Sequence, residues 1–545
     1  MKHLRILLPL LLLLAACTQK TGPREYYWER FAMDGHRTGV SVPAADNISE
    51  ALGSVSGKVY TAPNGVKFRG GSTPEVASLM LEVQPELAAL KEVVAVCPEG
   101  MERYRPESPL SNFIVDRLRE DVARITGRKV DLAITNFGGI RCNLPKGNVL
   151  LDDVVSMLPF TNYATWLSVP GSELRRVFEG MAEGSVQCVS GVELEIDGKK
   201  LKSVKIGGQP LVDSRLYGLA TIDFLVDGGD GLKLARGARE MIITDRKIGD
   251  LIIEDIRAIT AAGKPLAYDV DGRVKLPSEG YRDPNVRPEE SPIPAPAGKP
   301  RLVIMHCNDT HSHMDPFPTG RGIRGGVIER SAFVDSVRRE YPASKVLLLH
   351  AGDFNQGSSY YSQLGGRLEP RIINALRYDC ITLGNHELDN GIEDLASRLS
   401  AVKCPIVCAN CEFPDTLQQY VTPYTILERG GMKIGIIGME SEISKMVAAP
   451  TAQRIQQFDN VETILKWAPY LKEEEGCDMV ILLSHLGYGE DQRVTALSRG
   501  VDLVVGGHTH SFVNDFIYVI DLDGNMVPII TDGCWGEDMG LIKVY

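Results

Sequence analysis

Gly384-Asn385-His386-Glu387-Leu388-Asp389 follows directly on the apolar run 381–383, and that junction decides how the second half of the chain reads. An amide, an imidazole and two carboxylates crowd into one turn at the end of what should be a buried strand. Four more short polar blocks repeat the pattern: Asn308-Asp309-Thr310-His311, Gly352-Asp353, Ser484-His485 and Gly507-His508-Thr509-His510. Each stands within a few residues of an apolar run, at 302–305, 346–349, 480–483 and 503–505. Short apolar runs alternating with helical stretches predict an α/β arrangement. In such sheets sites form at the carboxyl edge of the strands. Five complementary endings therefore predict one shared site.

The donors suggest the chemistry. Two cations need a bridging anion to offset their repulsion, and a carboxylate in a tight Gly-Asp turn, Asp353, suits that role. Oxygen from Asp309 and Asn385, with imidazole from His311, His485, His508 and His510, suits a first-row metal better than magnesium. Two such ions can hold a phosphoryl group and acidify a water for in-line attack. His386 follows Asn385 directly, so both are not expected on one ion. Asp389, three residues on, can orient the His386 imidazole as a catalytic acid. Glu387 is expected to orient ligands instead. His306, His313 and His350 read as hydrogen-bonded core residues.

Working outward, the 545-residue chain is too long for one core. Six prolines between 284 and 300 divide it, since no packed element tolerates that density. Eight of the ten histidines lie after residue 300, which assigns metal chemistry to the second half. In the first half, Ser108-Pro109 predicts a capped helix start. A strand near 130–134 should deliver Asn136-Phe137-Gly138-Gly139-Ile140-Arg141, and another helix should begin near Ser172. The net charge of -12 argues against a nucleic-acid polymer as partner and leaves a small anionic substrate open.

The first residues read as a processing segment: basic Lys2, His3 and Arg5, then an apolar stretch too short to span a bilayer. It runs into Leu14-Ala15-Ala16-Cys17, which looks like a bacterial lipobox. The expectation is a signal peptide over 1–17, lipidation at Cys17, and a protein lipid-anchored in the bacterial cell envelope, at the periplasmic face or the cell surface. Cys404, Cys408 and Cys411 read as small buried residues rather than as a metal cluster.

The blocks of the second half resemble the calcineurin-like metallophosphoesterases, and specifically the 5'-nucleotidase family, with N-D-x-H, G-D, G-N-H-E, a single His and G-H-x-H in this order. The resemblance implies a β-sandwich flanked by helices over 301–545. It implies one metal on Asp309, His311, Asp353 and His510, and another on Asp353, Asn385, His485 and His508, with manganese, zinc or cobalt as candidates. His386 and Asp389 match the family's catalytic dyad. The first half, over 24–283, resembles the same family's separate α/β nucleotide-binding domain. Asn136 and Arg141 belong to its N-x-G-G-I-R motif, Phe160 and Asn162 to its P-F segment, and Phe224 and Asp230 to its second aromatic and G-G-D-G loop. Two Phe faces can sandwich a base, Arg141 can fork onto a phosphate, and Asp230 can accept ribose hydroxyls. A further arginine is expected near Glu107; Arg105 is the candidate and Arg103 stays open. The family places the catalytic domain first and joins the two by a helical connection. Here the order is reversed, with the proline-rich stretch at 284–300 as linker.

The expected function is an exported dinuclear-metal hydrolase of nucleoside 5'-monophosphates. Nucleotide-sugars, dinucleotides or 2',3'-cyclic nucleotides are alternative substrates for the same centre. A catalytically weak nucleotide-binding lipoprotein is the rival from another class.

Overall fold

The computed structural model describes residues 25–226, 228–276, 296–319 and 321–545. Cys17 with its signal segment, and residues 284–295 of the expected linker, lie outside the described residues.

The elements used below are, in the first part of the chain, β1 (Tyr26–Ala32), α1 (Thr73–Leu87), α2 (Pro109–Thr126), β2 (Leu132–Thr135), β3 (Tyr163–Pro170), β4 (Cys188–Ser190), β5 (Leu216–Ile222) and β6 (Glu240–Lys247). The second half adds β7 (Leu302–Cys307), β8 (Val346–His350), β9 (Cys380–Thr382), β10 (Ile406–Val407), β11 (Tyr424–Arg429) and β12 (Met432–Met439). It ends with β13 (Met479–Ser484), β14 (Leu503–Val505), β15 (Ile517–Ile520), β16 (Met526–Ile530) and β17 (Asp538–Val544).

The second half folds as two six-stranded sheets, ordered β1-β17-β7-β8-β9-β10 and β11-β12-β13-β14-β16-β15. Leu302, Ile304, Leu347 and Leu349 of one sheet meet Ile434, Ile481, Leu483 and Val505 of the other in a shared core. The alternate residues Val303, Met305 and Leu348 face outward onto a helical layer that includes Phe333, Ile373 and Leu395. Because both faces are covered, these strands read as unbroken apolar runs rather than as alternating ones. β7, β8 and β9 are mutually parallel, and so are β12, β13 and β14, which brings all five polar blocks to carboxyl ends.

The first half forms its own mixed sheet, β6-β3-β5-β2-β4, around a separate core. α2 starts where Ser108-Pro109 predicts. The Ser108 Oγ accepts from the Ser111 amide at 3.1 Å, and the Ser111 Oγ accepts from the Ser108 amide at 2.9 Å.

The expected boundary at residue 24 needs correcting. β1 pairs antiparallel with β17, from Tyr26 against Val544 to Ala32 against Asp538. Met33, Leu52, Tyr60, Val76, Met80 and Leu87 share a core with Val303, Met305 and Phe333. Residues 26–90 are therefore part of the second body, and the body built on the first-half sheet starts near Val93. The physical reason is that β17 would otherwise present a bare sheet edge, and β1 covers it. The Tyr545 amide donates to the Glu25 carbonyl at 3.0 Å, so the first and last described strands lie side by side like the arms of a hairpin. The chain crosses between bodies through α1 and the turn Ala88–Lys91 as well as through the proline-rich stretch.

Candidate functional site

The five blocks converge at one end of the sandwich. Asp309 Oδ1 lies 3.4 Å from His510 Nε2 and 3.8 Å from His311 Nε2, while Asp353 Oδ2 lies 3.1 Å from His485 Nε2 and 3.7 Å from His311 Nε2. Asp309, His311 and His510 offer ligand atoms to one point, and Asp353, His485 and His508 to a second. Asn385 stands beside them with its Oδ1 buried and without a hydrogen-bond partner. His311 Nε2 and His510 Nε2 face each other at 2.9 Å. Lone pairs directed at a common space, with a buried carbonyl oxygen left over, are a donor set that fits divalent cations.

The backbone bends hard to build this cluster. Asp309 (φ 49°), His311 (46°), Asp353 (54°), His508 (74°) and His510 (53°) all sit in the left-handed region, which non-glycine residues visit only under constraint. The constraint is visible: the amides of Asp309, His311 and Ser312 donate to the carbonyls of Gly352, Asp353 and Phe354, each at 3.0 Å. A side chain on Gly352 would put its Cβ 2.6 Å from His485 Nδ1, so only glycine allows the approach.

Supporting groups orient the donors. Glu387 is fully buried and accepts from the amides of Asp353 (2.9 Å), Asn355 (3.0 Å) and Gly384 (2.6 Å), tying two blocks together. His485 Nδ1 meets the Ala351 carbonyl at 2.7 Å and His311 Nδ1 the Gln356 carbonyl at 2.9 Å, which leaves each Nε2 toward the cluster. His306, His313 and His350 are buried beside these blocks, and burial pushes their imidazoles down to about 4, 3 and 3. Each is kept neutral and hydrogen-bonded, His350 Nε2 to Thr310 Oγ1 at 3.0 Å.

His386 borders the metal cluster, with a ring nitrogen near the donor atoms of His311 and Asp353. Its amide donates to Asp353 Oδ1 and its Nδ1 meets Asp389 Oδ2, both at 2.9 Å. Burial alone would lower its pKa, but the Asp389 and Asp353 carboxylates outweigh that and raise it above the ordinary histidine value.

The first half docks directly on this centre. Arg141 Nη2 lies 2.6 Å from His311 Nε2, and the Phe160 ring stacks on His386 with centroids 5.5 Å apart. Ser359 N–H donates to Ser156 Oγ at 2.9 Å, and Lys91 pairs with Asp152 at 2.7 Å and Asp315 at 3.7 Å. Between the halves lies a cavity of about 860 Å³. Asn136, Arg141, Phe160, Asn162, Phe224 and Asp230 line it from one side; Asp353, Asn385, His386, Asp389, His508 and His510 from the other. Asn136 Nδ2 donates to Asp230 Oδ2 at 2.7 Å, joining the two nucleotide motifs. A Cβ on Gly229 would fall 2.5 Å from the Phe224 ring, so the glycine-rich loop folds flat against that aromatic face.

Arg105 also borders the cavity, but its guanidinium is bonded to the Val186 carbonyl and lies over the Phe137 ring. Arg103 donates to the Phe137 and Ile140 carbonyls at 3.1 and 2.7 Å. Both arginines brace the Asn136–Arg141 loop. Sequence reasoning missed Lys445 and Met446, which line the cavity from the catalytic side, and Trp535, which stacks on His313 at 5.2 Å. None lies in a motif, and only the tertiary approach brings them in.

Two family models match the chain. Residues 302–512 match the family "Calcineurin-like phosphoesterase", and residues 90–236 match "5'-nucleotidase, C-terminal domain". A snake venom 5'-nucleotidase of Naja atra is 34% identical over 272 residues, 45% of this chain and 50% of that protein. A probable 5'-nucleotidase of Treponema pallidum is 34% identical over 227 residues, 40% of this chain and 38% of that one. The chain thus spans about half the length, or less, of the curated relatives it matches. Among solved structures, a 5'-nucleotidase precursor from Thermus thermophilus aligns with a TM-score of 0.41 at 30% identity, over 44% of this chain and 50% of that one.

Proposed function

We propose that this chain, which carries the two domains of the 5'-nucleotidase family in reversed order, is a two-metal hydrolase releasing phosphate from nucleoside 5'-monophosphates. The observation that carries the reading is the shared cavity, where Arg141 and Phe160 of the nucleotide-binding half touch His311 and His386 of the catalytic half. Asp309, His311, Asp353 and His510 would hold one divalent ion and Asp353, Asn385, His485 and His508 the other. Bound there, the ions would neutralise phosphate charge and lower the pKa of a water.

The side chains do the rest. Phe160 and Phe224 hold the base by stacking, and Asp230, steadied by Asn136, accepts from the ribose hydroxyls. Arg141 neutralises a phosphate oxygen. Water adds to phosphorus opposite the ester bond and releases a proton to solvent, that P–O bond breaks, and the nucleoside oxygen leaves with a proton from His386, which solvent then restores. Asp389 keeps that imidazole oriented and charged. The size of the cavity leaves room for nucleotide-sugars or dinucleotides as further substrates. Cys17 carries lipid, and the mature protein works at the bacterial cell envelope.

The test is phosphate release after chelation and reconstitution with manganese, zinc or cobalt. Substrates are nucleoside monophosphates, nucleotide-sugars, 2',3'-cyclic nucleotides and an aryl phosphate. Turnover of the monophosphates with stacking-dependent KM is expected. Full metal loading with no phosphate released from any monophosphate would sink the reading. Fewer than one ion bound per chain would favour a nucleotide-binding lipoprotein instead.

A further inference from the structure

The hairpin of β15 and β16 carries an apolar surface that no part of the described chain covers. Tyr518, Ile520, Leu522 and Met526 are all exposed, Ile520 and Met526 by 63% and 64%. They are neighbours, because Ile520 pairs with Met526 across the hairpin, and Leu497 is exposed beside the Ser498 carbonyl to which the Leu522 amide donates at 2.9 Å. The turn is rigidly built: Asp521 Oδ1 accepts from the amides of Asp523 and Asn525 at 2.9 and 2.8 Å. Such a patch on a fixed turn marks a surface that is covered in use.

What covers it follows from the proposed anchor at Cys17 and from the place of β1 in the sandwich. β1 and β15 are edge strands of the two sheets, and they meet: the Tyr26 ring lies 6.1 Å from Phe516, itself 6.0 Å from Tyr518. Seven residues lie between Cys17 and Glu25, which allows a reach of at most roughly 28 Å. Tyr26 is level with Val544 and so with Leu302, at the amino end of β7. Met526 begins β16, which runs parallel to β14. Tether and patch therefore both stand at the amino ends of the strands, opposite the ligand blocks.

We propose that this patch rests on the lipid bilayer to which Cys17 is anchored, holding the cavity mouth away from the membrane. The proposal rests on the lipid anchor proposed above. Asp515 and Asp523 flank the patch, with Arg499 3.4 Å from Asp523, so the balance of charge favours a zwitterionic surface over an anionic one. Shallow insertion of Ile520, Leu522 and Met526 at the headgroup boundary would add to the lipid's hold.

The test uses the full lipid-bearing protein in phosphatidylcholine–phosphatidylethanolamine vesicles. Ile520→Trp, and Lys200→Trp on the other body, are compared with the parent for quenching by brominated phosphatidylcholine. The added emission should fall about two-fold for Ile520→Trp and stay unchanged for Lys200→Trp. Hydrogen exchange of residues 515–527 in the unsubstituted protein, slowed on vesicles relative to detergent, gives the same readout without a substitution. Protein that carries lipid and floats with the vesicles, yet shows neither effect, overturns the docking and leaves the anchor standing. Absence of lipid on Cys17 by mass spectrometry overturns both. A dimer in sedimentation that Ile520→Asp dissociates would make a second copy the occupant and overturn the proposal. Phosphate release measured on the same vesicles reports separately on the hydrolase reading.

Discussion

In the proposed mechanism, His386→Ala isolates the one step that belongs wholly to a side chain. The hydrogen bond to Asp353 Oδ1 comes from the His386 backbone amide, and removing the imidazole leaves it in place. Asp353 and Asn385 therefore stay where they are, and metal content should remain that of the parent. What disappears is an imidazole held 2.9 Å from Asp389 and charged above the usual range. General-acid catalysis of this kind contributes about 10²–10⁴-fold, or roughly 3–5 kcal/mol of barrier. The loss should depend on the leaving group. A nucleoside alkoxide needs the proton, so kcat for a nucleoside monophosphate should fall by about 10²–10⁴-fold. A nitrophenolate leaves without one, so kcat for a nitrophenyl phosphate should fall far less. The assay is steady-state phosphate release on both substrates with metal content measured in parallel. Equal losses on the two, or lost metal, would refute the acid role. The pH dependence carries a sign as well. Asp389 is among the groups that raise the His386 pKa, so Asp389→Asn lowers it. The alkaline fall in activity, where His386 loses its proton, should begin at lower pH in that variant.

Phe160→Ala and Phe224→Ala should each raise KM for nucleotides by about 5–150-fold, the equivalent of 1–3 kcal/mol of base stacking. KM for the aryl phosphate should move little, and equal changes on both would count against a base clamp. In the first half, Asp116 accepts from Arg273 Nη1 and Nη2, both at 2.9 Å, and from Tyr268 at 2.7 Å. Asp116→Ala would take one of two carboxylates from the Arg273 guanidinium, which keeps Asp271 and the Val189 carbonyl, and should cost about 1–3 kcal/mol of that body's stability, read as a lowered unfolding midpoint. Burial alone would raise the Asp116 pKa, but its hydrogen bonds and the Arg273 charge hold it below the ordinary value. Its contribution is therefore present above the unfolded carboxylate pKa and lost as pH falls through the lower folded one. Acid should loosen the first body in the parent, and Asp116→Ala should remove that part of the pH dependence.

Strand ends and ligand blocks were legible because they are local. Apolar runs predicted at 302–305 and 480–483 are β7 and β13, and each is followed at once by its donors. Of the left-handed turns, the one at Asp353 has Gly352 beside it in the sequence, while the one at Asp309 has no neighbouring glycine to announce it. β1 was not legible. Tyr26–Ala32 is half-buried along its whole length and shows no alternation, since one of its faces is shared between core and solvent. Its partner lies at the far end of the chain, and no local pattern encodes a pairing across that separation. For the same reason the sequence left Arg103 and Arg105 open as the further arginine, and only the fold shows Arg105 bonded to the Val186 carbonyl and Arg103 to those of Phe137 and Ile140.

Residue type, and position just past an apolar run, were enough to mark the donors at 309–311, 353, 385, 485 and 508–510, because a strand's end and the side chains that follow it are both local in the chain. Tertiary structure alone decided what that centre faces. Arg141 against His311, Phe160 over His386 and β1 along β17 are long-range contacts. Each depends on how two separately packed bodies bury their remaining surface, and that surface exists only once both have folded.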